Sequence, residues 1–371
     1  MEVQRRPFYI KLSHCLMAIV LIFLILYMAQ GICVPLSFAG LFAIILSAPC
    51  GYLERKGVPK GIAALISLLA ALIVMFVVLY FISSQIMSFK NELPALTSQL
   101  QSSILDLENW AREKFNLSSD SMREMLHSAT SQTLSHTTSL VSFTVSTLSG
   151  AVIYLVLIPI YTFLLLLYRR LIVQFLVASF QQKHTAVVYS VLQQTKHVIK
   201  GYVVGLLIEM VIVAIMNCAG FFILGVKYAL LLGVIAAILN IIPYLGIFTA
   251  CMLSILITYT TNGAATVLGV AITLVVVHLI DSNILLPKVV GSKVKINALV
   301  TILGVIVGST LWGIPGMFLA VPIIAILKVI FDHVEDLKPW GLLLGDEPKP
   351  VKVLKKQKNL VKQTEEKPAE G

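Results

Sequence analysis

The stretch Asn240-Ile-Ile-Pro-Tyr-Leu-Gly246 interrupts an apolar sequence that otherwise runs from Ala229 to Thr258. Proline supplies no backbone N–H, and glycine is poor helix chemistry, so a helix entering this stretch ends in it. The flanking runs, Tyr228 to Ile242 and Gly246 to Tyr259, are each about 14 residues, roughly 21 Å at a helical rise, against a hydrocarbon core of about 30 Å. Two half-length helices joined at a break read as a re-entrant hairpin. The turns at its open end, near Lys227 and near Thr260-Thr261-Asn262, are almost uncharged and fit the outer side of a membrane.

The rest of the chain supports a membrane setting. Of its 371 residues 58% are hydrophobic and only 12% charged, against about 25% charged in a soluble domain. Charge-free windows recur at Leu16 to Cys50, Ile62 to Phe89, Gln132 to Tyr168, Gly263 to Leu279 and Ala298 to Leu327, and one span needs about 20 such residues. The expected fold is an all-α polytopic membrane protein with about eight membrane segments, re-entrant hairpins and a weak inverted repeat in the C-terminal half. The net charge of +10 lies in the loops, as the positive-inside rule requires, rather than in a basic, aromatic-interleaved groove, so nucleic acid is not an expected partner. The five cysteines sit in apolar runs without CxxC spacing, which indicates packing residues and neither a disulfide framework nor a metal centre.

Cation placement gives the topology. Arg5, Arg6 and Lys11 put the N-terminus in the cytoplasm. Without a small-residue cleavage site, the first apolar run reads as a retained span from about Ser13 to Cys33. Pro35 opens a second, shorter span; the turn with Arg55, Lys56 and Lys60 is cytoplasmic, and a third span completes 1–84. Residues 85–147 form an acid-leaning outer loop, with an amphipathic helix signalled by Leu93, Leu96, Leu100, Ile104 and Leu107. Residues 148–168 are a fourth span, 169–200 cytoplasmic or interfacial helices, 201–330 a core with two broken-helix hairpins, and 331–371 a cytoplasmic tail. The tail beyond 346 is rich in lysine, acids and proline and is expected to be disordered. The lipid bilayer is the immediate partner, and both termini are expected inside.

A second break lies within Asn297 to Ile330, about 34 residues and too long for one span, where Gly313-Ile-Pro-Gly316 cuts the run in half. Leu232-Gly-Val-Ile235 recurs as Leu303-Gly-Val-Ile306, so each block is a span followed by a hairpin, the first opening outward and the second inward. Inverted repeats of this kind place substrate sites near the bilayer midplane at broken helices.

Between Gly201 and Val290 the only carboxylates are Glu209 and Asp281. Each costs at least about 2.5 kcal/mol at the bilayer centre and is a candidate ion or proton carrier. Asn240 at the first tip and Asn217 are amides that need partners when buried. His278 falls one turn before Asp281 on the same helix face, and Asn283 lies beside it in sequence. The candidate substrate or ion ligands are therefore Glu209, Asp281, Asn240, Asn283, His278 and Asn217. Pro243, Tyr244 and Gly246 form the first tip, and Gly313, Pro315 and Gly316 the second. Phosphate-loop, H-E-x-x-H and G-x-S-x-G motifs are missing, so no enzyme, no cofactor and no ATP-driven pump is expected within the chain.

The order Leu224-Gly-Val-Lys-Tyr-Ala-Leu-Leu-Leu-Gly233, Ile242-Pro-Tyr-Leu-Gly246, Pro287-Lys-Val-Val-Gly291 and Leu311-Trp-Gly-Ile-Pro-Gly-Met-Phe-Leu-Ala-Val-Pro322 resembles the autoinducer-2 exporter family, the PerM-like permeases. The ending Lys338-Pro-Trp-Gly-Leu-Leu-Leu-Gly345 is similar to Bacteroidetes-type members. The resemblance covers about residues 10 to 340. It implies a multi-pass protein of the inner membrane that assembles as a homo-oligomer and acts as a secondary transporter. The cargo it implies is a small polar solute such as a quorum-sensing signal, with sodium or lithium exchange for protons as an alternative. An uncoupled pore or scaffold is the alternative of another class. Ile247 stands where the family commonly has proline, so the first tip departs slightly from the pattern.

Overall fold

The computed structural model describes residues 8–90, 153–241, 245–290 and 296–346, all helices and short connections. The outer-loop helix expected over 93–107, the tail beyond 346, and Pro243 and Tyr244 at the first tip lie outside the described residues.

Three N-terminal helices come first: α1 (Phe8–Met28), α2 (Gln30–Arg55) and α3 (Lys60–Lys90). The break between α1 and α2 falls at Ala29, and Pro35 lies inside α2 rather than opening it. An α-helix satisfies its own amides, so α2 is already established when the proline arrives one turn later. Then α4 (Ile153–Leu167) turns through 67° into the short α5 (Arg169–Ala178). Next, α6 runs unbroken from Thr185 to Ile223. The helix passes straight through Lys196, Lys200 and Gly201, and its 39 residues, about 58 Å long, exceed the hydrocarbon thickness.

The first hairpin consists of α7 (Ala229–Leu239) and α8 (Leu245–Asn262). Ala229, Leu232 and Ala236 share a core cluster with Ala250 and Ile257. At the tip a methyl on Gly246 would overlap the Leu239 carbonyl, so the two legs run antiparallel and nearly touch. After Gly263, at φ +81°, α9 (Ala264–Ile280) continues as a π-helix over Asp281–Val290. Pro287, within that segment, offers no N–H to the preceding turn, which favours the wider winding.

The second hairpin is α10 (Ala298–His333), broken at Gly313 with φ +62° and ψ −140°, a conformation open mainly to glycine. Gly304 faces Ala320 and Ile324, and Gly308 meets the Gly316 backbone. In a straight helix Gly308 and Gly316 would stand about 12 Å apart, so the chain reverses here as the sequence indicates. A single asparagine closes the open end of each hairpin. Asn262 donates to the Gly225 carbonyl at 2.9 Å and accepts from the Lys227 amide at 3.3 Å. Asn297 caps α10 by accepting from the Val300 amide at 2.8 Å, and donates to the Leu343 carbonyl of α11 (Lys338–Leu344) and to the Gly345 carbonyl just after it.

Lipid tails are as apolar as leucine, so burying leucine adds little in a bilayer; close backbone approach and hydrogen bonds hold the helices together. That is the pattern seen. Gly233 lies against the Cys218 backbone, which locks α7 to α6, and Gly220 lies against Thr273, which brings in α9. Among the described residues, five helices qualify as spans by length and composition, or six when the bent α4–α5 pair is one, besides the shorter apolar helices of α1 and the first hairpin. The chain is thus an all-α polytopic membrane protein.

Candidate functional site

Where α6, α7 and α9 converge, polar side chains gather inside an otherwise apolar bundle. Glu209 and Asn217 come from α6, Asn240 from the first hairpin's tip, and His278 and Asp281 from the end of α9. Glu209, Asn217 and Asp281 are only 4%, 2% and 5% exposed. Val213, Ala237 and Val277 pack around them with Met210, Ala214 and Leu285, an apolar wall that excludes lipid headgroups and bulk water.

Each element has a local reason to deliver its residue. The tight crossing of Gly233 on Cys218 lays α7 along α6; Ala237 then packs in one cluster with Val213, and the helix ends by presenting Asn240. His278 and Asp281, three apart, share one helix face. The step into π-helix begins at Asp281; such wide turns recur at functional sites.

Asn240 Nδ2 donates to Asp281 Oδ2 at 2.8 Å, tying the hairpin tip to α9. The Glu209 and Asp281 carboxyls are neighbours inside the bundle. Yet Glu209 Oε2, Asp281 Oδ1 and Asn217 Oδ1 have no donor among the described residues, and His278 Nδ1 has no partner. Beside them a cavity of about 20 Å³ is lined by Val213, Asn217, Ala236, Asn240, His278 and Asp281, among others. That is room for one water or one small ion. Two facing carboxyls are compatible only when a proton or another cation sits between them. The cluster is therefore rich in acceptors, with three side-chain oxygens and an imidazole nitrogen unspent.

Five of the six predicted ligand candidates are brought together. Asn283 is not: it is exposed, and its amide bonds the Leu279 carbonyl at 2.8 Å and Ser282 Oγ at 3.4 Å. Of the tips, Gly246 is buried at the hairpin crossing near the cluster. Gly313, Pro315 and Gly316 do not line the cavity. The second tip is docked elsewhere, through Trp312 Nε1 donating to the Leu26 carbonyl of α1 at 2.9 Å and Phe318 stacked on Phe38 at 5.4 Å. Ala236 and Ala250, which give the cavity its room, were not singled out from sequence. The signal for them was small residues on both legs of a half-length hairpin.

Comparison with known proteins gives a consistent context. A family profile described as "AI-2E family transporter" matches residues 16–336. A provisionally named transport protein of Haemophilus influenzae is 26% identical over 343 residues, 89% of this chain and 94% of its own. The provisionally named transport protein YrrI of Bacillus subtilis is 38% identical over 132 residues, 36% of this chain and 37% of its own. The provisionally named permease PerM of Escherichia coli is 27% identical over 133 residues, 36% of this chain and 38% of its own. The matches to YrrI and to YueF, also of Bacillus subtilis, thus cover less than half of either relative's length.

Proposed function

Because the chain belongs to the AI-2E family of membrane transporters, we propose that it is a secondary transporter whose coupling ion binds between Glu209 and Asp281. The single observation that carries this reading is a buried pair of neighbouring carboxyls, Glu209 and Asp281, each with a donor-less oxygen, beside a cavity of one-ion size that Asp281 and the donor-less Asn217 line. Buried acceptors without donors cost free energy, and a proton, sodium or lithium ion relieves that cost. The cavity is far too small for an organic signal. In this conformation the site is a place for the coupling ion, and a small polar solute or signal enters when the first hairpin moves away from α9. The hydrogen bond from Asn240 to Asp281 links the two events, since neutralising Asp281 weakens the tie that holds the tip down.

A second reading is favoured by the same cavity: the ion itself is the cargo, and the protein exchanges sodium or lithium for protons across the inner membrane. Both readings put the N- and C-termini in the cytoplasm and a homo-oligomer in the membrane. An uncoupled pore is the contrasting class.

The discriminating experiment reconstitutes the purified chain in proteoliposomes containing a pH dye. Sodium or lithium is added outside, and uptake of labelled autoinducer-2 is followed in parallel under an imposed proton gradient. Proton movement on adding the cation alone supports exchange. Solute uptake that saturates and needs the gradient supports coupled export. Non-saturating conduction that ignores the gradient contradicts both.

A further inference from the structure

We propose that the corner formed by the α2–α3 turn and the α4–α5 elbow is a binding site for the phosphate headgroup of an anionic membrane lipid. The reading is independent of the ion site. Leu53 and Val58, on either side of the α2–α3 turn, pack in one cluster with Leu166 near the end of α4, and a methyl on Gly61 would just reach the Leu167 side chain. Arg55, Lys56, Lys60, Arg169 and Arg170 are thereby gathered at one end of the bundle.

Against these five cations the corner has one carboxylate, Glu54. Its side chain is 13% exposed and already engaged three times: by Arg169 at 2.5 Å, by Arg170 at 3.7 Å, and by the Cys50 thiol at 3.6 Å. Lys56 sits over the Tyr52 ring at 4.7 Å, and Arg55 Nε donates to the Gly51 carbonyl. Arg170 is 66% exposed, and no other carboxylate pairs with these cations among the described residues. Glu54 thus orders the guanidinium of Arg169 and leaves a fixed surplus of positive charge facing outward. Guanidinium donors in a rigid fork match a phosphate's oxygens.

The occupant is a lipid rather than a free anion because of what adjoins the charge. Helix α5 buries no residue and departs from α4 at 67°. It exposes Leu171 and Phe175 next to Arg170, and Tyr52 and Tyr168 are exposed beside them. A soluble phosphate has no use for this apolar apron, whereas a helix lying in the membrane surface buries it among acyl chains while its cations hold headgroups.

The test compares the full chain with an Arg170→Gln/Lys60→Gln double variant, both delipidated in neutral detergent. Circular dichroism checks the fold, and Arg169 stays in place to hold Glu54. Phosphatidylglycerol retention is read by native mass spectrometry, with phosphatidylcholine and inorganic phosphate as the other arms. The expected result is selective retention of phosphatidylglycerol, falling by roughly fivefold for each cation removed. A Leu171→Ser/Phe175→Ser variant, which keeps the charge, is expected to lose retention too. Equal retention of phosphatidylcholine, undiminished retention in both variants, or displacement of the lipid by equimolar inorganic phosphate would overturn the proposal.

Discussion

At Asp281 the two carboxylate oxygens have different fates: Oδ2 accepts the Asn240 amide, while Oδ1 has no donor. Removing the amide with Asn240→Ala leaves both oxygens bare. It should lower stability by about 1–3 kcal/mol, read as a drop in the thermal unfolding midpoint of the purified protein in detergent. Asn283→Ala, which touches only its own helix, should leave both stability and transport close to wild type. This contrast marks how far the site was legible at the level of residues. Glu209 and Asp281 stood out because charge is rare in membrane spans, and His278 because it is one turn from Asp281. Asn283 was grouped with Asp281 by adjacency, but residues two apart on a helix point to different sides. That Glu209 and Asp281, 72 positions apart, face each other follows from helix packing and is written in neither segment alone.

The two hairpins are held by contact at glycine rather than by volume of apolar burial. A methyl on Gly316 would overlap the Gly308 carbonyl, whereas Gly40 in α2 has open space around it. Gly316→Ala should therefore cost about 1–3 kcal/mol by overpacking, and Gly40→Ala should change little; expression level and unfolding midpoint report both. At the open end of the second hairpin, Asn297 binds α11 through its side chain and its backbone. Asn297→Ala should free that helix, seen as faster proteolysis near Lys338 while the rest of the chain resists digestion. Proline and glycine made both breaks legible in the sequence. The start of α6 was not, because cations signal where a helix meets the interface and not where it stops. A helix bonded to itself continues past Lys196 and Lys200 without penalty. Nor did sequence symmetry foretell that the second tip docks on α1 through Trp312, a contact between residues 286 positions apart.

For the molecule as a whole, the described residues form an acceptor-rich cavity at the junction of α6, the first hairpin and α9, inside a chain of the AI-2E transporter family. In the proposed transport cycle the first hairpin is the element that swings, and the Asn240–Asp281 bond is the contact such a swing must break. On this account transport depends on a charge that Glu209 can carry and glutamine cannot, although the two side chains have nearly the same shape. The most direct measurement is proton-gradient-driven flux in proteoliposomes for wild type and Glu209→Gln, matched for protein content and unfolding midpoint. The account predicts that the variant keeps its fold and loses gradient-driven flux; flux equal to wild type would contradict a coupling ion held between Glu209 and Asp281.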